Sequence, residues 1–227
     1  MGTKSKVALG AVVGIVVIGV VSANSGGSDD DKTSSGDKGP SASAEQKPGA
    51  KKDSGKDATE KKVAFSGDGD FQVGADIKPG TYRTTGNTDD ACYWERAKDA
   101  SGEIDSTLAN DNVTGTSYVT VKPSDKVFKS SGCHDWEAVD AAAKGTPANS
   151  MAGDGGMFKV GVDIAPGTYR STGNTDDSCY WERTKDSEHS LDSILANDNV
   201  TGAAVVKISA SDAYFKTSGC QDWKKTG

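Results

Sequence analysis

The chain has 227 residues, a formal net charge of -7, 34% hydrophobic and 26% charged residues. Residues 63–136 carry 12 acidic and 7 basic side chains (net -5), and residues 153–227 carry 11 and 8 (net -3). Neither half has the basic footprint of a nucleic-acid binder, and attraction to an anionic membrane surface is likewise disfavoured.

The amino terminus opens on a short basic stretch, Lys4 and Lys6, followed by an uncharged apolar run from Val7 to Val21 and the small residues Ser22 and Ala23. This reads as a secretory signal ending near Ala23, or as an uncleaved N-terminal membrane anchor over residues 1–23. Either way the remainder is expected outside the cytoplasmic membrane, secreted or held on its outer face. Residues 24–62 are rich in Ser, Gly, Asp and Lys and lack Phe, Tyr, Trp, Leu, Ile and Val. Such a tract buries too little apolar surface to offset ordering its backbone, so a disordered linker is expected.

From Val63 the pattern changes. Phe71, Val73 and Ala75 alternate with Gln72, Gly74 and Asp76, which predicts a strand. Pro79-Gly80 predicts a turn, and Thr81 to Thr85 a second strand closing a hairpin with the first. Gly86-Asn87-Thr88-Asp89-Asp90 predicts another turn. Cys92-Tyr93-Trp94-Glu95-Arg96 predicts a third strand, with Cys92 and Trp94 on one face and Tyr93 on the other. Ile104 to Asn110 reads as a short turn leading into a strand edge. Tyr118 to Val121 and Lys126 to Lys129 complete the strand set.

The phrase Pro79-Gly80-Thr81-Tyr82-Arg83 and the later Cys92-Tyr93-Trp94-Glu95-Arg96 return at an offset of 87, as Pro166 to Arg170 and Cys179 to Arg183. Residues 71–136 align on 158–223 without a gap, with 43 of 66 positions identical. The chain is therefore a duplication: residues 63–136 form a first β module, 137–152 a connector and 153–227 a second module. The fold class expected is all-β, two tandem small antiparallel sandwich- or barrel-like modules with one disulfide each.

Four cysteines fall two per copy, and repeat symmetry pairs Cys92 with Cys133 and Cys179 with Cys220. An exported chain meets oxidising surroundings in which such bonds persist. Each bond closes a loop of about 40 residues, worth about 4 kcal/mol by chain entropy. That is comparable with the whole stability of so small a unit.

Aromatic rings at Trp136, Trp223, Tyr82 and Tyr169 are candidates for stacking on a ligand, with core packing as the rival role. For Trp94 and Trp181 the core is the expected place. Arg83 and Arg170, with Glu95 and Glu182, are candidates for polar contacts, either to a ligand or within ion pairs. Calcium coordination by the Asn- and Asp-rich turns is the weaker reading, since neither run fits a twelve-residue calcium loop and such residues also serve turns. No catalytic residue is singled out: there is no nucleophile elbow, no histidine shared by the copies, no phosphate-cradling glycine loop and no dinucleotide fingerprint. No cofactor is called for.

The Gly-x-Asp-Ile-x-Pro-Gly-Thr-Tyr-Arg phrase followed by Cys-Tyr-Trp-Glu-Arg resembles modules of exported actinobacterial proteins of uncharacterised function, over residues 67–136 and 153–223. The resemblance implies an extracytoplasmic β-rich module behind a signal or anchor, and carries over no catalytic residues. The expected function is a non-catalytic binding or structural module for an extracellular or cell-wall component. A secreted hydrolase using Asp and Glu, or a secreted inhibitor or signalling protein, are the competing classes.

Overall fold

Each copy of the repeat is organised by one very long strand. A computed structural model describes residues 63–227, and of Asp89, Asp176 and Asp177 only the backbone. The first copy contains β1 (Val63–Phe65), β2 (Gly69–Gln72), β3 (Gly80–Ala97), β4 (Thr107–Val121), β5 (Val127–Ser131) and β6 (Trp136–Ala138). The second contains β7 (Ser150–Met151), β8 (Gly156–Lys159), β9 (Gly167–Thr184), β10 (Ile194–Ile208), β11 (Tyr214–Ser218) and β12 (Trp223–Lys225).

The 18-residue β3 pairs with β4 along its length. Its first half pairs on the other side with β6, and its second half with β5. Register shifts between Thr84 and Cys92, with Gly86 at φ 82° and Asp90 at φ 51°, bend the strand between the two halves. The turn expected at residues 86–90 is thus an irregularity inside one strand. The expected hairpin around Pro79-Gly80 is also corrected: β2 pairs with β5, and the true hairpin is β3–β4, closed through a single 3-10 turn at Ile104–Ser106. In the second copy β9 repeats the plan with β10, β11 and β12.

The protein is all-β, and the strands of the described residues join in one mixed, unclosed sheet. The two copies meet through a single parallel pairing, Thr116 of β4 with Gly156 of β8. Each copy nevertheless keeps its own apolar core. In the first, Trp94, Phe128 and Trp136 are fully buried, with Phe128 edge-on to Trp136 at 5.3 Å between centroids. In the second, Phe215 and Trp223 repeat that contact at 5.5 Å. The indole N–H of Trp136 donates to Ser130 Oγ at 2.9 Å, and Ser130 donates on to the Gly67 carbonyl, so the ring is buried without stranding its polar atom. Trp223, Thr217 and Gly153 form the matching chain.

The cystines Cys92–Cys133 and Cys179–Cys220 each bridge 41 residues and tie β3 or β9 to the segment after β5 or β11. Among the described residues no cysteine is free.

The transmembrane reading of the amino terminus is corrected: among the described residues no helix is long and apolar enough to cross a membrane. Residues 1–23, on which it was placed, and the linker 24–62 lie outside the described residues.

Candidate binding surfaces

The residues expected to stack on a ligand are in the cores. Trp136, Trp223 and Tyr169 are 0% exposed and Tyr82 is 6% exposed. Trp136 and Trp223 begin β6 and β12, short strands held between β1 and β3 and between β7 and β9, which turn the rings inward. The Tyr82 hydroxyl donates to the Lys78 carbonyl and that of Tyr169 to the Ala165 carbonyl, which fastens the Pro-Gly turn in each copy.

The polar candidates divide. Glu95 accepts from the Tyr93 hydroxyl at 2.9 Å and Glu182 from Tyr180 at 2.6 Å, so both glutamates brace their own strand. Burial, with the neighbouring Glu95 carboxylate, pushes the Tyr93 hydroxyl up to about 12. Arg83 pairs with Glu137 at 3.0 Å, not with Glu95, and donates to the Tyr118 hydroxyl at 3.3 Å. Arg170, its counterpart, is exposed. The Asn-rich turns hold the backbone: Asn87 is buried, donates to the Gly115 carbonyl at 3.0 Å and accepts from the His134 N–H at 2.8 Å, and Asn174 does the same with Gly202 and Gln221. Among the described residues no group of three His, Cys, Asp or Glu stands close enough to hold a metal ion.

Sequence reasoning missed the strongest ion pairs. Arg96 makes a bidentate contact with Asp125 at 2.7 and 3.2 Å, and Arg183 with Asp212 at 2.6 and 2.9 Å. Burial alone would raise the Asp212 carboxyl, but the bonds from Arg183 and the Ser209 backbone hold it below its ordinary value. The available signal was the Ser-Asp that recurs at 124–125 and 211–212.

It also missed the seam between the copies. Tyr118 is 1% exposed and packs on Met157 and Tyr214 of the second copy. Its hydroxyl donates to Asp163 at 2.7 Å. His189 donates from Nε2 to the Tyr118 carbonyl at 2.7 Å, which fixes the tautomer because a carbonyl can only accept. Its ring stands edge-on to Trp94 at 4.7 Å. Lys122–Glu188 and Lys216–Asp111, both at 2.6 Å, flank the contact. The copies differ where they meet. Tyr118, Val127 and Gly102 of the first copy align with Val205, Tyr214 and His189 of the second. The second copy also has one extra residue, reading Asp154-Gly155-Gly156-Met157 against Asp68-Gly69-Asp70, and Gly155 and Gly156 are the residues that touch Thr116. A groove of about 400 Å³ runs along the seam past Arg83, Tyr118, Asp163 and Phe158.

Among the described residues six large apolar side chains stand exposed: Val63, Ile104, Leu108, Leu191, Leu195 and Val205. Four of them occupy the same two positions of each copy. Ile104 and Leu191, 88% and 89% exposed, lie on the 3-10 turns (Ile104–Ser106 and Leu191–Ser193) at the tips of the two long hairpins. Leu108 and Leu195, 44% and 49% exposed, stand on the strand just after. Scattered exposed apolar residues are ordinary, but a pair displayed twice by both copies is not scattered.

The described residues define an all-β domain of two cystine-closed repeats, the kind of bond that persists in oxidising surroundings. The family model of the Rv1352-like extracellular domain matches residues 63–137 and again residues 149–224, and the chain belongs to that family. It is accordingly an extracytoplasmic protein. An uncharacterized protein of Mycobacterium bovis, Mb1387, and the uncharacterized proteins Rv1352 and MT1395 of Mycobacterium tuberculosis are each 30% identical to it over 95 residues. The alignment covers 37% of this chain and 76% of each relative. No solved structure matches.

Proposed function

We propose that this chain is a non-catalytic binding domain, built of two small sandwich-like repeats, that holds a cell-wall or surface component outside the cell by two matching apolar tips. The observation that carries the reading is the twofold display of Ile104 with Leu108 and of Leu191 with Leu195, while the large aromatic residues are spent on the cores. Two like tips on one body raise effective concentration toward a target with repeated sites. The non-catalytic part of the reading draws support from four of the less exposed carboxylates, which are committed to structural bonds: Asp125 and Asp212 to arginines, Glu137 to Arg83, Asp111 to Lys216.

The test is retention of the full-length protein on isolated cell envelope and on whole cells. Ile104→Asp and Leu191→Asp should each weaken retention, and the double variant should abolish it, with melting temperatures unchanged because both sites are exposed. No retention of the parent protein, or undiminished retention of the double variant, overturns the proposal.

A further inference from the structure

Comparing the two copies at one register reveals a charge reversal. In the first copy Arg83 of β3 lies opposite Glu137 of β6 on one side and Tyr118 of β4 on the other. The glutamate neutralises the guanidinium at 3.0 Å, and the tyrosine ring and the second copy cover that side of the row. In the second copy the same three places hold Arg170, Lys224 and Val205. Lys224 faces Arg170 directly across β12 and β9, and like charges so placed disfavour the sheet. Among the described residues neither cation has an ion-pair partner. Val205, where Tyr118 is buried, is 62% exposed. An open groove of about 490 Å³ runs past Arg170, Thr172, Gln221 and Lys224. Asp222 also lines it, but its Oδ1 accepts the Gly153 N–H at 3.2 Å, as Asp135 does for Gly67 in the first copy. Lys207, exposed two residues beyond Val205, adds a third cation to the face.

We infer that Arg170 and Lys224 form a binding site for the carboxylates of an acidic polymer outside the cell, which take the place that Glu137 occupies in the first repeat. The first repeat shows the chemistry the position takes: one carboxylate, from Glu137, on the arginine, and a second, from Asp163, at the neighbouring tyrosine. The second repeat keeps the arginine, removes the internal acid and leaves the face uncovered. Threonine hydroxyls and the Gln221 amide along the groove supply neutral donors beside the two charges. The inference rests on the reading of the chain as a binding domain but uses different residues from the apolar tips.

The experiment measures binding of poly-L-glutamate to the full-length protein by fluorescence anisotropy, at low and high salt, beside polyphosphate and neutral poly-L-glutamine. Poly-L-glutamate should bind and be released by salt, as exposed charges require. Lys224→Glu, which rebuilds the first repeat's ion pair, should weaken it by about tenfold or more, the worth of a charge-assisted bond, with no loss of melting temperature. Arg170→Gln should weaken it comparably. Equal binding by Lys224→Glu, or preference for polyphosphate over poly-L-glutamate, overturns the carboxylate site. Envelope retention that depends on Ile104 and Leu191 but ignores Lys224→Glu would remove this site and leave the binding domain standing.

Discussion

The Tyr118 hydroxyl of the first repeat donates to the Asp163 carboxylate of the second at 2.7 Å, and the same hydroxyl accepts from Arg83 at 3.3 Å. One side chain thereby joins both copies to the ion pair at Glu137. Burial and the Asp163 carboxylate push the hydroxyl well above its ordinary value, so it stays protonated and donating at neutral pH. Tyr118→Phe should lose about 1–3 kcal/mol, since the half-buried Asp163 carboxylate is left with one donor fewer. Tyr118→Ala should lose about 3–5 kcal/mol through the cavity against Met157 and Tyr214. Urea denaturation of both variants checks the order.

The two arginine–aspartate pairs should not be worth the same. Arg96 is 4% exposed and also donates to the Glu188 carbonyl across the seam at 2.7 Å, whereas Arg183 is 25% exposed. Asp125→Ala leaves a buried guanidinium unpaired and should cost about 3–5 kcal/mol. Asp212→Ala leaves one that water can reach and should cost about 1–2 kcal/mol. Equal losses in a denaturant titration would contradict the assigned difference in burial.

Acidification should loosen the seam. Burial, and then the Lys216 ammonium, push the His189 ring below its ordinary value, against the weaker opposing pull of Asp111, the Tyr118 carbonyl and Glu182. Its folded-state value therefore lies under the unfolded one, near about 6.5. The stability it contributes is complete above that unfolded value and is lost as pH falls through the folded one. Melting temperature should drop as pH falls below the ordinary histidine value, and His189→Gln, which can still donate to the Tyr118 carbonyl, should flatten that drop. At lower pH a further loss is expected in both proteins as Asp212, held low by Arg183, is protonated.

Two glycines at matching positions should respond differently to a methyl group. Gly115 and Gly202 both have positive φ, 75° and 86°. A Cβ on Gly115 would run into the Gly155 carbonyl oxygen across the seam, while one on Gly202 meets nothing within 4 Å. Gly202→Ala should cost about 1 kcal/mol of backbone strain. Gly115→Ala should cost clearly more, and should also expose Tyr118 and Tyr214 to fluorescence quenchers. Comparable midpoints for the two variants would mean that the seam does not approach as closely as described.

Reducing either cystine should be costly, because each closes a 41-residue loop in a small unit. The paired serine variants Cys92→Ser with Cys133→Ser, and Cys179→Ser with Cys220→Ser, should each lose about 2–5 kcal/mol. Thermal melts with and without reductant give the readout.

Much of the plan was legible in the residues. The 87-residue offset fixed the duplication, and with it the pairing of Cys92 with Cys133. The alternation around Trp94 placed that ring inward. The partner of each strand was not legible, because local pattern says only that Phe71 and Tyr82 belong to strands, while long-range pairing sends β2 to β5. Nor was the burial of Trp136 legible: it rests on a three-residue strand, β6, too short to show a period. The seam left a trace in the sequence, the bunching of differences at residues 100–104 and 116–123, but a difference between copies does not by itself say what it faces.

The extra glycine at the start of the second repeat has a consequence for how such a chain can grow. Gly155 and Gly156 lie against the backbone of Gly115 and Thr116, and Met157 just beyond them packs on Tyr118, whose place in the second repeat is Val205. A third unit copied from the second and appended at the carboxyl end would find no such tyrosine. Lengthening the array by gene fusion would therefore call for tyrosine at 205, so that another unit could repeat the Tyr118 contact.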